Sequence, residues 1–295
     1  MACFISENLK AHIPWFIKIP AKIAISRLPL GNRHWQRLNL FRAGAMDTPA
    51  YAFGVFKKHY AASGLTTLRD CTVVEVGPGN SLLTGLYARS FGASCTWLID
   101  VDRLASQDVN VFAQAEKLLS ELNIPVPGVG KEYSIDAALE RLNAIYLTEG
   151  LTSLKRVPDA EIDLLFSQAV LEHVRLADFV RIAREMRRVL KPTGVASHIV
   201  DFRDHLQNAL NNLRFSRRLW ESEFMARSGF YTNRLTWSEM ENLFRDAGFS
   251  VELRSYELWP NGLPTRQHSM AFPFNKMSPS DLMVMGAHAI LRPII

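Results

Sequence analysis

The stretch VVEVGPGNS, residues 73–81, joins a short apolar run to a loop with two glycines. The run from Cys71 to Val76 is rich in β-branched residues and predicts a buried strand that ends in a tight turn. Gly77 and Gly79 let the backbone turn sharply and come close to a ligand, where a β-carbon would interfere. The spacing is not GxGxxG, and no Gly-Lys-Ser/Thr follows, which weakens dinucleotide and ATP readings. Leu82 to Ser90 then has helical spacing, and Ala93 to Ile99 is a second buried strand that stops at Asp100, 21 residues beyond Gly79. A carboxylate there can accept both hydroxyls of a ribose. The plainer alternative is a tight turn followed by a helix-capping aspartate.

Strand, loop, helix, strand and acid make one βαβ unit, and the pattern repeats along the chain. Tyr51 to Tyr60 reads as a helix before it. After it come an amphipathic segment at Val109–Leu122, a Pro/Gly-rich stretch from Pro125 to Gly130, a helical 134–143 and a third strand, Ala144–Leu147. Ile162–Ser167 is a fourth strand. Phe179, Ile182, Ala183, Met186 and Leu190 share one face of a helix ended by Pro192 and Gly194, and Val195–Val200 is a fifth strand. Thr236 and Glu239 form a capping box for a helix that runs to Gly248. Strands at Ser250–Arg254 and about Met283–Leu291 complete a doubly wound α/β fold, with a mostly parallel seven-stranded sheet and helices on both faces.

Four separated pieces, VVEVGPGNS, LIDVD (98–102), IDLLFSQAVLEHV (162–174) and REMRRVLKPTG (184–194), together resemble the class I S-adenosylmethionine-dependent methyltransferases over about residues 70–254. The resemblance implies a Rossmann-like fold, methyl transfer, and S-adenosyl-L-methionine as cofactor. It carries Glu75, Gly77, Pro78, Gly79 and Asn80 over to the cofactor's methionine portion and Asp100, with Val101, to its ribose side. Adenine contacts fall near Glu149, Gly150 and Leu151, and contacts to the methionine end at Ser167 and Gln168. Ser81 departs from the pattern, which usually has a third glycine there.

Transfer from a sulfonium needs the acceptor atom in line with the S–CH₃ bond and shielded from water. A hydroxyl acceptor also benefits from a general base. His173 in LEHV, and Asp201 and His205 in VDFRDH after the fifth strand, are the candidate catalytic residues. His173 also reads as a structural residue at a helix start, and Asp201 or Asp204 as a helix cap. Residues 202–237 interleave arginines with aromatic rings and read as an acceptor-side lid, with Arg203, Arg217, Tyr231, Asn233 and Arg234 as candidate acceptor contacts. FYTNRL and HIVDFRDH look like methyltransferases of bacterial surface-polysaccharide and glycolipid assembly, so the expected acceptor is a sugar hydroxyl on a glycan, nucleotide-sugar or glycolipid. Alternatives are a small aromatic, quinone-type or lipid acceptor, and a non-catalytic scaffold of the same fold at a membrane.

Charge is unevenly placed. The 295 residues carry +5, but residues 1–45 hold seven basic residues against Glu7 alone, so residues 46–295 sum to −1. A nucleic-acid partner is therefore not expected of residues 46–295, the methyltransferase domain. The N-terminal extension, 1–45, mixes Lys18 and Lys22 with Trp15, Phe16 and several isoleucines. It reads either as a peripheral membrane contact or as an apron on the domain, with Pro14 and Pro20 limiting any single long helix. Cys3, Cys71 and Cys95 form no CxxC pair, which fits a reducing, cytoplasmic compartment. No metal is expected, because no spacing of His and carboxylates marks a site. Oxygen ligands for Mg²⁺ gathered from distant strands leave no such mark.

Overall fold

The computed structural model describes residues 14–27 and 45–294. The seven strands are β1 (Thr72–Val76), β2 (Cys95–Ile99), β3 (Ala144–Leu147), β4 (Ile162–Gln168), β5 (Leu190–Asp201), β6 (Phe249–Leu258) and β7 (Val284–Pro293). They form one sheet in the order β3-β2-β1-β4-β5-β7-β6. The first five are mutually parallel, and β7 runs antiparallel to both β5 and β6. The expected doubly wound α/β architecture is present. Its strand order reverses at β1, so the crevice outside the carboxyl ends of β1 and β4 is where such a sheet binds ligands.

Helices α1 (Trp15–Ser26), α2 (Pro49–Ser63), α3 (Leu83–Ser90), α4 (Asn110–Glu121), α5 (Ile135–Arg141), α6 (Leu176–Val189) and α7 (Trp237–Asp246) accompany the strands. Successive strand residues point to opposite faces, and the core follows that alternation. Val73, Leu98, Leu164 and Phe166 pack with Phe56, Leu86, Tyr87 and Phe112 of α2, α3 and α4. Val74, Ile99 and Leu165 pack with Phe179, Met186, Met240 and Phe244 of α6 and α7. The Thr236–Glu239 capping box opens α7, and Gly248 follows it at φ +91°.

One boundary differs from expectation. Helix α6 stops at Val189 and β5 begins at Leu190, so Pro192 and Gly194 lie within the strand. Pairing with β4 shifts register there, between Ile162 and Leu164. A Cβ on Gly194 would meet the Ile162 carbonyl at 2.6 Å. The glycine thus serves a close backbone approach at an irregular strand start and not a helix cap.

Of the N-terminal extension only residues 14–27 and Ala45 are among those described; the remainder lies outside them. Helix α1 continues through Pro20 and lays Trp15, Ile19 and Ile23 on Leu206, Trp220, Met225, Phe230 and Tyr231. Lys18 and Lys22 donate to the carbonyls of Leu206 and His205, both at 2.9 Å. No helix of the described residues is long and apolar enough to cross a membrane.

Candidate active site

The loop after β1 turns through Gly77 at φ +74° and Gly79 at φ +63°, a region that side chains with a β-carbon rarely adopt. A Cβ on Gly77 would stand 2.5 Å from a methyl of Val170. Asp100, at the end of β2, accepts from the Gly79 amide at 2.9 Å and from the Val101 amide at 2.7 Å. Burial raises its carboxyl, and these two amides pull it back down. Glu75 is 1% exposed, and its Oε2 has no hydrogen-bond partner. Burial, with a smaller push from Asp100, drives its carboxyl up to about 8 against a hydrogen bond from Thr84. Beyond Pro78, the Asn80 carbonyl accepts from the Ser106 amide at 3.0 Å, and a cleft lined by Asp47, Asn80, Ser81, Ser106 and Asp108 opens beside the loop.

The third strand delivers its expected residues to the same edge. The Gly150 amide donates to the Asp100 carbonyl at 2.8 Å, Glu149 donates its amide to Ser153 Oγ at 2.9 Å, and Leu151 opens a one-turn helix, Leu151–Leu154. Val101, 76% exposed, lies against Gly150, whose added Cβ would approach it to 3.3 Å. Sequence-distant residues 75–80, 100–101 and 149–151 are thereby gathered at the carboxyl ends of β1, β2 and β3.

Ser167 and Gln168 at the end of β4 part company. Ser167 is fully buried and its Oγ hydrogen-bonds His198 Nδ1 at 2.8 Å. Its side chain therefore faces the α7 layer, where His198 stacks on Phe244, and not the cleft as expected. Gln168 Oε1 accepts from His59 Nε2 at 3.2 Å. Because an amide oxygen only accepts, the proton on His59 sits on Nε2. Ser197 then donates to His59 Nδ1 at 2.8 Å and receives from His288 Nε2 at 2.9 Å. Burial pushes His59 and His198 down to about 3 and His288 to about 4.

On the acceptor side, His173 lies in a single 3₁₀ turn, Leu171–His173. Its Nδ1 donates to the Tyr231 carbonyl at 3.0 Å, which leaves the lone pair on Nε2. His205 stacks on it with ring centroids 4.7 Å apart. Burial, then the neighbouring His173, push His205 down to about 4. Both rings are thus neutral near pH 7. Asp201 holds Arg203 in a two-pronged ion pair, Nε to Oδ1 and Nη2 to Oδ2, each 2.8 Å. That commitment engages both carboxylate oxygens of Asp201 and makes Arg203 its partner. Asp204 is 1% exposed and accepts from the amides of Leu206, Gln207 and Asn211, so it shapes the turn.

The lid corrects three expected acceptor contacts. Asn233 gives its amide hydrogens to the carbonyls of Leu171 and Val174 and accepts from the Leu235 amide. Arg234 donates to the Asn212 and Phe215 carbonyls and lies between the Trp220 and Phe274 rings. The Tyr231 hydroxyl donates to Glu221 Oε2 at 2.8 Å. All three are at most 6% exposed; they hold the lid together. Arg217 stays exposed at the start of a one-turn helix, Arg217–Trp220. Glu172, Lys22 and His59 enter the site region unannounced. Glu172 stands inside LEHV, so its type was visible and its burial was not.

The cradle fits S-adenosylmethionine on two counts: an orphaned, buried Glu75 oxygen suits the ammonium of a methionine group, and the space at Gly77 is one that a β-carbon would fill. Residues 74–197, from β1 into β5, match the methyltransferase-domain family model. This stretch carries a methyltransferase domain, which marks the protein as an enzyme of methyl transfer.

Solved structures of similar form include a chain of the complex between the Haloferax volcanii Trm112 methyltransferase activator and a methyltransferase, 15% identical, covering 91% of this chain and 100% of that one at a TM-score of 0.47. An S-adenosylmethionine-dependent methyltransferase from Mesorhizobium loti is 17% identical, covering 84% and 98% at 0.43. An arsenic(III) S-adenosylmethionine methyltransferase from Chlamydomonas reinhardtii is 14% identical, covering 84% and 73% at 0.46. No curated protein matches the sequence.

Proposed function

We propose that this methyltransferase modifies a hydroxyl oxygen of a sugar carried on a glycan, a nucleotide-sugar or a glycolipid. The observation that carries the hydroxyl is the stacked pair of neutral imidazoles, His173 and His205, at the acceptor edge. When bound, S-adenosylmethionine supplies an electrophilic methyl group. Glu75, Gly77 to Asn80, Asp100 and Val101 hold it, with Glu149 to Leu151 on its adenine side and Gln168 near its methionine end. An attacking hydroxyl has to shed its proton, and a lone-pair nitrogen on His173 or His205 accepts it. The Asp201–Arg203 pair supports a polyhydroxylated acceptor, since it offers charged hydrogen-bonding groups beside His173 and His205. Residues 46–295 form the catalytic domain in this reading, 202–237 its lid, and 1–45 an extension of which Trp15, Ile19 and Ile23 pack against that lid.

The test is an acceptor panel of glycosides, nucleotide-sugars, quinols and short lipids with isotopically labelled methyl donor, read by mass spectrometry. Labelled sugars are expected; transfer only to quinols or lipids overturns the sugar.

A peripheral membrane contact of the extension is a second reading. It is favoured by Phe16 and Ile17, 58% and 50% exposed on the side of α1 that does not pack on the lid. Sedimentation with anionic liposomes, equal for the full chain and for a Phe16→Ser/Ile17→Ser variant, removes it.

A further inference from the structure

Building on the hydroxyl acceptor inferred above, we propose that Glu172, His173 and His205 bind a divalent transition-metal cation of the zinc class, which takes the acceptor hydroxyl as a further ligand. One ligand atom from each residue lies within 4.8 Å of the other two. Ligand atoms around a tetrahedral zinc stand roughly 3.4 Å apart, so side-chain rotations of about an ångström close the set.

Each residue has a feature that a cation explains. Glu172 is 2% exposed, and neither carboxylate oxygen has a hydrogen-bond partner of ordinary geometry. Burial pushes its carboxyl well above the ordinary range, against the backbone amides of Glu172 and Asp201, which favour the ionised form. An unpaired buried carboxylate is costly, and a bound cation removes that cost. His173 has its Nδ1–H committed to the Tyr231 carbonyl. A carbonyl behind the ring with the second nitrogen left free is the arrangement of metal-bound histidines. His205 Nε2 is buried without a partner, and the Lys22 ammonium fixes its main chain through the carbonyl. Asp201 and Asp204 add negative charge around His205, against Lys22.

Imidazole ligands suit Zn²⁺ and its first-row neighbours better than Mg²⁺. Two imidazoles and one carboxylate leave a tetrahedral ion with an open fourth position, and His173, the exposed member of the three, gives a way in. With the cation bound, the lone pairs of His173 and His205 are spent on it, and the cation takes over the role of the imidazole base: the alcohol's O–H bond breaks, its electron pair stays on the cation-bound oxygen, and the proton passes to water.

The test is metal binding by the full chain after chelator treatment and dialysis. Co²⁺ is expected to raise visible absorption bands that saturate at one equivalent and vanish on adding Zn²⁺. Glu172→Gln and His205→Ala are each expected to weaken calorimetric Zn²⁺ binding by more than about 100-fold. Should a variant not fold, anomalous scattering at the zinc edge from crystals of the unaltered protein decides. A peak between the three side chains supports the site; no peak, or a peak elsewhere, overturns it. Absence of Zn²⁺ binding, or binding unmoved by both substitutions, also overturns it. Chelator separates the two readings. Hydroxyl methylation at full rate in EDTA removes the cation and keeps the acceptor, whereas Zn²⁺ bound at these residues with no hydroxyl methylated does the reverse.

Discussion

The Gly79 amide donates to Asp100 Oδ2 across 2.9 Å, tying the tip of the glycine loop to the end of the neighbouring strand. The second carboxylate oxygen is steadied by the Val101 amide. One side chain therefore positions the loop and presents the remaining lone pairs of a carboxylate at the cleft. Asp100→Ala is expected to weaken S-adenosylmethionine binding roughly 10- to 100-fold. Calorimetric titration checks this; an unchanged affinity removes Asp100 from the site.

At Gly77 two penalties coincide: the left-handed backbone, φ +74°, and the Val170 methyl 2.5 Å from any added Cβ. Gly77→Ala is expected to cost about 1–3 kcal/mol and to impair cofactor binding. Val170→Ala on top of it relieves the clash and not the backbone, so denaturant melts should show partial rescue. Full rescue or none would show that only one penalty operates.

Glu75, held up to about 8 by burial, is mostly protonated near pH 7. An ammonium placed beside its orphaned oxygen favours the carboxylate and lowers that value, so cofactor binding should release about one proton near pH 7. Affinity then rises with pH up to about 8. The observed binding enthalpy should vary with the ionisation enthalpy of the buffer, and Glu75→Gln should abolish that variation.

The buried histidines set acid stability. His59, His198 and His288 have folded values near 3, 3 and 4, below the unfolded value of about 6.5. The unfolded chain therefore binds more protons as pH falls below about 6.5, and stability that is complete above that pH is lost on the way down. Each group contributes a slope approaching about 1.4 kcal/mol per pH unit. Urea unfolding at pH 7, 6 and 5 measures it; a flat profile contradicts the burial of these rings.

Most of the sheet was legible because strand identity is written locally. Val73 and Val74 face opposite cores, and the run that contains them, Cys71–Val76, is apolar or β-branched but for Glu75. The glycine loop and Asp100 were legible for the same reason, since type and strand-end position both show in the sequence. The lid was not. Asn233 and Arg234 are polar residues in an arginine-rich, aromatic-rich stretch, and only the fold reveals that backbone carbonyls consume their donors. Ser167 misled through parity, because one step along a strand moves a side chain to the other face. Glu172 and His205 come from different strand ends, so no spacing links them. Gly194 looked like a helix end because Pro and Gly after a helical face usually mean that, whereas here the helix passes straight into a strand.

Among the described residues β6 has one neighbour in the sheet, β7. The ribosome makes β6 before β7, yet β7 lies between it and the growing edge at β5. The five parallel strands can assemble as the chain emerges, but β6 has nothing to pair with until residues 284–293 arrive and wedge themselves in. The last of these seven strands to be translated thus closes the sheet, and in the interval β5 and β6 both carry an unpaired edge.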